Sequence, residues 1–241
     1  MLEQMKLLSA RRAYEFHADD IRLTLLSTGP IQGLIKQSFQ FQTAAIGTPI
    51  ETFGPVLPTM PPGLAFELGI WASSEGVLVP IRFMHIDPRR IVIDVAGPSS
   101  AIDSIFQRLR DLLAQVQTPD GSPLLGEPER VLDYSDISAR FSYPLDVLFL
   151  PRLRNLFARV MNIDENTPSL VLAPTLYMPT HPVDEESAGA VNSPDSRMLQ
   201  LALRKGTRPA ERIYFSGAPL DSEAHLAYLT ELDAILTSAS E

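Results

Sequence analysis

A short pattern occurs twice in this chain, half a chain length apart. Arg90-Ile91 opens an apolar segment that is followed by Pro98 and an amphipathic stretch. Arg212-Ile213 opens a second such segment, which is followed by Pro219 and another amphipathic stretch. An internal repeat decides the topology of a whole fold, so this repeated pattern constrains the possible folds of the chain more than any single motif does. We interpret the two copies as an internal duplication.

A second repeated pattern lies N-terminal to the first, toward the start of each half. Residues 21–25 stand before Gly29-Pro30, as residues 137–141 stand before Tyr143-Pro144. Both segments are rich in apolar residues and end at turn-forming residues, so we predict a strand at each of them.

Apolar periodicity predicts the elements between these repeated patterns. Leu64, Phe66, Leu68 and Ile70 alternate with smaller or polar residues, which predicts a strand with one buried face. Further strands are predicted at 77–84, 90–95, 198–203 and 212–215. Apolar residues that recur with the helical period predict two amphipathic helices, at 100–116 and 221–236.

These elements predict an α+β fold made of two related β-rich halves. Each half ends in an amphipathic helix packed on a largely antiparallel sheet. A Pro- and Gly-rich stretch divides the sequence, so the predicted halves are residues 1–117 and 134–241, with a linker at 118–133. A chain of 241 residues can bury a core of its own without disulfides or metals.

The absence of cysteine limits both chemistry and location. The chain has no cysteine, which excludes disulfides, cysteine-ligated metal clusters and thiol nucleophiles. The N-terminus carries Glu3 and lacks a long apolar run, so no signal peptide is expected. No stretch of about 18 consecutive apolar residues occurs. We therefore expect a cytoplasmic protein without a membrane partner.

The charge of the chain bears on its partners. The formal net charge is −9, whereas nucleic-acid binding requires clustered Lys and Arg that release counterions. A nucleic-acid partner is therefore not expected. The charge is uneven, because residues 140–161 are basic and residues 164–241 are acidic. This asymmetry favours a protein partner or self-association.

Two segments are candidates for partner binding. The amphipathic segment at 151–161 has a basic outer face made of Arg152, Arg154 and Arg159. We predict that this face contacts an acidic surface of a partner or of another copy; a solvated face is the alternative. Met60 in a proline-rich loop, with Trp71 nearby, is predicted to dock a partner in extended form; a rigid connection is the alternative.

Motifs for catalysis are absent from the sequence. The chain contains no dinucleotide-binding or Walker glycine motif, no Gly-x-Ser-x-Gly and no His-Glu-x-x-His, so neither a cofactor nor a metal is expected. Three of the four histidines precede acids. One such cluster, a candidate catalytic or ligand site, combines an imidazole, a carboxylate and two guanidinium groups: His85, Asp87, Arg89 and Arg90. Turn residues at strand ends are the alternative interpretation.

Two functions remain open at this point. The first is a non-enzymatic protein–protein interaction or assembly protein that binds itself or other proteins through its sheet edges and charged surfaces. The second is a small enzyme or ligand-binding protein with a site around residues 85–90. The missing catalytic motifs favour the first. Dispersed histidines and a flat apolar patch would support it, whereas a pocket that holds two His–acid clusters would support the second.

Overall fold

A computed structural model describes residues 4–47, 63–73, 76–118, 120–142, 175–179 and 198–238. They form one antiparallel sheet with helices, consistent with the predicted α+β class. The strands are β1 (Gln4–Glu15), β2 (Thr43–Gly47), β3 (Gly63–Ala72), β4 (Leu78–Ile86), β5 (Arg90–Val95), β6 (Arg130–Arg140), β7 (Leu176–Pro179), β8 (Met198–Leu203) and β9 (Ile213–Ala218). The helices are α1 (Leu23–Leu26), α2 (Gly29–Ser38), α3 (Ser99–Ala114) and α4 (Ser222–Ser238).

The strands form a single sheet, which contains strands from both predicted halves of the chain. Their order is β2-β3-β4-β5-β1-β6-β9-β8-β7, and every neighbouring pair is antiparallel. β1 and β6 lie at the centre, where the two parts of the chain meet. The first residues of β6, from Arg130, pair with the end of β1, so they belong to the sheet although the sequence assigns 118–133 to a linker. The division into two domains remains a prediction.

Strand neighbours follow the same order on the two sides of this centre. β5 and then β4 lie beside β1, and β9 and then β8 lie beside β6. Ala10 of β1 is paired with Val95 and Ser135, while Ser135 of β6 is paired with Ala10 and Ala218. A long helix follows β5 in one half and β9 in the other. The origin of the two halves by duplication remains a prediction.

The two faces of the sheet differ in what packs on them. All four helices bury apolar residues against one face, which we call the helix face. Ala10 and Tyr14 of β1 lie on it, in the core beneath α3. Arg11 and Ala13 point to the opposite face, which we call the second face. There Ala13 packs with side chains of neighbouring strands only, among the residues described.

Helix α3 forms where the sequence predicts it, because its apolar residues recur on one side. The buried stripe consists of Ile102, Ile105, Phe106, Leu109, Leu112 and Leu113. Phe106 stacks on Tyr14 of β1 with the ring centroids 3.6 Å apart. Asp103, beside this stripe, pairs with Arg12 of β1. The stripe and the ion pair together fix α3 over the centre of the sheet.

The first turns of α3 and α4 cap each other. The backbone N–H of Ser99 donates to Oγ of Ser222 over 3.0 Å, and that of Ser222 donates to Oγ of Ser99 over 2.9 Å. Serine oxygens commonly satisfy the free N–H groups of a helix start, but normally those of their own helix. Here both residues are buried, and the exchange ties the two long helices together.

The alternation predicted for β3 changes phase at Leu68. Leu64 and Phe66 are buried on the helix face, but Leu68 and Ile70 are 54% and 41% exposed. Leu68 has a φ of +56°, in the left-handed region that non-glycine residues rarely adopt. Beyond it Trp71 takes the helix face, where its ring lies 6.0 Å from that of Phe39. The prediction of one continuous buried face is therefore wrong for the second half of the strand.

The strand predicted at 21–25 is also wrong. Residues Leu23–Leu26 form the short helix α1 instead, and Leu26 is buried beside α2. The first strand of the chain is β1, which precedes this segment. Apolar content without clear alternation does not distinguish a strand from a short buried helix, because both bury such residues.

Candidate functional site

The cluster predicted around residues 85–90 lies at the end of the β4–β5 hairpin. His85 is fully buried in β4, and its Nε2 lies 3.3 Å from the carbonyl oxygen of Gly47. Burial lowers the pKa of His85, so the imidazole is neutral at pH 7. Its position ties the end of β2 to β4.

The other members of that cluster close the hairpin turn. Asp87 is 2% exposed, and its carboxylate accepts a hydrogen bond from the backbone N–H of Arg89 over 2.9 Å. Its second oxygen lies 3.4 Å from Nε of Arg90. The backbone N–H of Asp87 also donates to the carbonyl of Arg90. The sheet thus brings the four residues to one turn, where the contacts of Asp87 resemble those of an ordinary Asx turn.

The remaining histidines are placed in different surroundings. His17 is exposed, with Nδ1 3.3 Å from a carboxylate oxygen of Glu129. His181 lies outside the described residues. Within the described part of the chain, no group of three or more His, Asp or Glu side chains is placed to hold a metal ion.

His225 is the histidine that the sequence analysis did not single out, and it has the most specific contacts. Its Nδ1 lies 2.8 Å from Oγ of Ser135, and its Nε2 lies 2.8 Å from Oγ of Ser216. Serine beside histidine is the arrangement of many nucleophilic sites. Here, however, all three residues are fully buried between α4 and the sheet, and both ring nitrogens are engaged. The contacts anchor α4 to β6 and β9.

A buried polar cluster occupies the second face at the centre of the sheet. Arg11 of β1 pairs with Asp94 of β5, with Nε and Nη2 at 2.8 and 2.6 Å from Oδ2. Ser9 donates to Oδ2 of Asp136 on β6 over 2.9 Å. The Arg11 guanidinium also lies 5.5 Å from the centroid of the Phe83 ring. We call Ser9, Arg11, Asp94 and Asp136 the central polar cluster.

Electrostatics in the central polar cluster are dominated by burial. Burial raises the pKa of Asp94 and of Asp136, while the positive charge of Arg11 opposes both shifts. Carboxyls with raised pKa values are typical of general acids in active sites. Asp94 is fully buried and Asp136 is 6% exposed, so neither is open to a substrate. The cluster links β1 to the strands on both of its sides and thereby fixes their register.

Exposed apolar side chains are concentrated on strands β2 to β4 and the turn that joins β3 to β4. Five of the eight large exposed hydrophobic residues in the described part of the chain lie there: Ile46, Leu68, Ile70, Val77 and Leu78. We call these five residues the apolar surface. The two most exposed are Ile46 at 73% and Leu78 at 66%. Isolated exposed hydrophobics are common, whereas a contiguous patch marks an interaction site. Ile46 lies opposite Leu64 and so points to the helix face, apart from Ile70 and Leu78 on the second face.

Part of the apolar surface is a continuous patch on the second face. Ile70 lies directly opposite Pro80, and Ala72 lies directly opposite Leu78, in the β3–β4 pairing. All four residues are exposed. The phase change at Leu68 turns Ile70 outward, so the positive φ of that residue creates the patch.

The edge strand β2 is unprotected by charge. Its five residues, Thr43 to Gly47, include no charged side chain and no proline. In the described sheet β2 pairs only with β3, so it is an edge strand. Most exposed edges carry charges, prolines or bulges that prevent pairing with another chain. The β7 edge ends in Pro179, whereas β2 has none of these features.

The other predicted partner-binding residues are placed as follows. Trp71 is half-buried on the helix face, and its Nε1 has no hydrogen-bond partner among the described residues. Met60, Arg152, Arg154 and Arg159 lie outside the described residues, so their roles stay predictions. A hollow of about 270 Å³ beside α3 is lined by Arg110, Asp111 and Leu124, among others, and by none of the predicted site residues.

Comparisons with known proteins leave the chain without an assigned family. No protein-family model matches the sequence, and no curated protein is significantly similar to it. Within the described residues, no helix combines the length and the apolar character needed to cross a membrane.

Proposed function

We propose that this chain is a non-enzymatic assembly protein that binds protein through strands β2, β3 and β4. The observation that carries the proposal is the apolar surface, which gathers most of the exposed large hydrophobic side chains on these three strands and their turn. An uncharged edge strand, β2, pairs with the first half of β3, Gly63 to Glu67. Edge strands with neighbouring apolar pockets or patches are a recurrent means of binding extended chain segments.

The free energy that burial of this surface would contribute is that of a specific interaction of modest affinity. Burying the exposed parts of Ile70 and Leu78 would contribute about 1–2 kcal/mol each, given roughly 25 cal/mol for each Å² of apolar area. Backbone pairing along β2 would add directional hydrogen bonds. The basic face of Arg152, Arg154 and Arg159 and the loop at Met60 remain predicted contributors to partner binding.

The alternative of a small enzyme or ligand-binding protein has less support. Asp87 is engaged by Arg89 and Arg90 in a turn, and His85 is fully buried in β4 with its Nε2 beside the carbonyl oxygen of Gly47. The histidines at 17, 85 and 225 each have separate partners. A general acid or base must reach its substrate, and the fully buried His85 and His225 offer no such access. His17 is exposed and pairs with Glu129 alone among the contacts described.

We also infer that the two halves arose by duplication of one β-rich unit. The matching order of strand neighbours about β1 and β6 supports this inference, as does the reciprocal contact of Ser99 and Ser222 at equivalent helix starts. The cytoplasmic location predicted from the sequence is part of the same proposal.

Removal of the exposed apolar side chains should abolish partner binding. We compare the amount of protein that co-purifies with the tagged chain from its host, whether that protein is another copy or a different chain. The double variant Ile70→Ser, Leu78→Ser should bind at most a tenth of the amount that the original chain binds. Serine at these exposed positions should change stability by only about 0.5 kcal/mol or less. Quantitative mass spectrometry of the bound fraction measures the effect.

Ile235→Ser provides the matched control, since Ile235 is 54% exposed on α4, far along the chain from the apolar surface. The control should bind as the original chain does. Equal recovery of bound protein by all three chains would refute the proposed surface.

A further inference from the structure

We propose that three cations around Ser138, on the second face of the sheet, form a binding site for a phosphate group. The cations are Lys6 of β1, Arg140 of β6 and Arg204, which directly follows β8. We call these three residues the basic cluster. The site goes beyond the proposed assembly function, because it lies on strands other than β2, β3 and β4.

Strand pairing places two of the cations beside Ser138. Asp136 of the central polar cluster precedes Ser138 by two residues on β6, so Ser138 also points to the second face. Lys6 lies directly opposite Ser138 in the β1–β6 pairing, which sets their Cβ atoms about 4.5–5.5 Å apart on the same face. Arg140 follows Ser138 by two residues and shares that face, about 7 Å along the strand.

Arg204 reaches the same point from the other side. Its Nη1 lies 3.3 Å from Oγ of Ser138, although β9 separates β8 from β6 in the sheet. The guanidinium group therefore extends above β9 and ends beside the strand that carries Arg140. Ser138 is 5% exposed, whereas Lys6 and Arg204 are exposed. The basic cluster thus surrounds a buried hydroxyl group and remains open to solvent.

The charge of the basic cluster selects an anion. Like charges on neighbouring strands repel each other, and a bound anion removes that repulsion. Neither Lys6 nor Arg204 forms an ion pair with another described residue. The nearby carboxyl of Asp136 accepts a hydrogen bond from Ser9, and the positive charge of Arg11 acts on it. Charges within a Debye length of about 8 Å dominate the local field, so the site favours an anion on a chain of net charge −9.

The donors of the site fit phosphate better than a row of carboxylates. Guanidinium groups match phosphate oxygens with two parallel N–H donors. The Ser138 hydroxyl accepts from Arg204 and keeps its own hydrogen to donate. A phosphate monoester carries about −1.5 to −2 charges at pH 7 on one group, whereas an acidic peptide spreads single charges along its length. Three cations that converge on one hydroxyl therefore suit a single multiply charged group.

Apolar side chains adjoin the basic cluster and distinguish two sources of phosphate. Phe215 lies directly opposite Ser138, and Ile213 lies directly opposite Arg140, in the β6–β9 pairing. Both are half-buried, so each leaves apolar surface beside the cations. The carbon part of a phosphate monoester would cover this surface, whereas inorganic phosphate would use the charges alone.

Calorimetric titration of the full chain with inorganic phosphate and with phenyl phosphate tests the site. At least one probe should bind with a Kd of about 1 mM or tighter at low salt, and added sodium chloride should weaken the binding. Arg204→Gln and Lys6→Gln should each weaken it about tenfold or more, since each removes charged donors. Both residues are exposed, so these variants should fold as the original chain does.

Arg130→Gln is the matched control, because Arg130 is exposed on β6 but lies ten residues, or about 33 Å, from Arg140. It should bind as the original chain does. Tighter binding of phenyl phosphate would assign a monoester, and equal or tighter binding of inorganic phosphate would assign the free ion. No binding of either probe up to about 10 mM, or equal weakening by Arg130→Gln, would overturn the site. Binding of a hexaglutamate peptide but of neither probe would also overturn it, in favour of an acidic protein segment.

Discussion

Replacing Arg11 by alanine should lower the free energy of unfolding by about 3–5 kcal/mol, because it removes the closest cation of a buried carboxyl. Arg11 holds Asp94, which is fully buried on β5, and its charge also acts on Asp136 of β6. Without the Arg11 guanidinium, Asp94 keeps only the longer pair with Arg82, whose Nε lies 3.8 Å from its Oδ1. The poorly compensated carboxyl must then either remain charged in the interior or take up a proton. Urea unfolding at pH 7 measures the loss.

Arg110→Ala is the control for this experiment. Arg110 also pairs with a carboxylate, that of Glu127, but the pair is exposed. Exposed pairs contribute about 1 kcal/mol or less, so this variant should unfold near the original midpoint. The double replacement Arg11→Met with Asp94→Leu should regain much of the lost stability, since it removes both charges. Similar unfolding midpoints for Arg11→Ala and Arg110→Ala would show that the central polar cluster does not hold the sheet together.

Acidification should destabilise the fold through His225. Burial lowers the pKa of this imidazole from 6.5 to about 4. Above pH 6.5 the side chain is neutral in both the folded and the unfolded chain, so its contribution to the free energy of unfolding is fully present. As the pH falls from 6.5 to 4, the His225 imidazole is protonated in the unfolded chain but stays neutral in the folded chain. The free energy of unfolding therefore declines by about 3 kcal/mol in total.

Unfolding free energies measured from about pH 7 to pH 4 should therefore fall more steeply for the original chain than for His225→Gln. The variant will be less stable at pH 7, because it loses the paired contacts with Ser135 and Ser216. The comparison isolates His225, since Asp94 and Asp136 are present in both chains. Parallel pH profiles would contradict the lowered pKa.

Helices and regular strands were the part of the fold that the sequence could predict. α3 and α4 bury one side of a helix, and β4 and β5 carry long apolar runs, so local pattern is sufficient for them. β1 was missed because it lies at the centre of the sheet and has Arg11 buried on its second face. The partners of Arg11 and Ser9 lie on β5 and β6, far away in sequence. No local pattern reveals such contacts.

The apolar surface was missed for a different physical reason. Alternation through Leu64, Phe66, Leu68 and Ile70 predicts that all four share a buried face. The positive φ of Leu68 reverses the faces midway, so Ile70 becomes exposed. The residue types do not predict this reversal, because leucine is not typical of left-handed backbone. Trp71, which the sequence did single out, lies on the helix face for the same reason.

The most direct test of the central claim, that protein binds at β2 to β4, is photo-cross-linking from Leu78 in the host cell. A photoreactive residue at Leu78 should give a discrete adduct with a protein chain, identified by mass spectrometry. The same residue at Gln107, exposed on α3, should give none above background. Equal labelling from the two positions, or no adduct from Leu78, would contradict the claim.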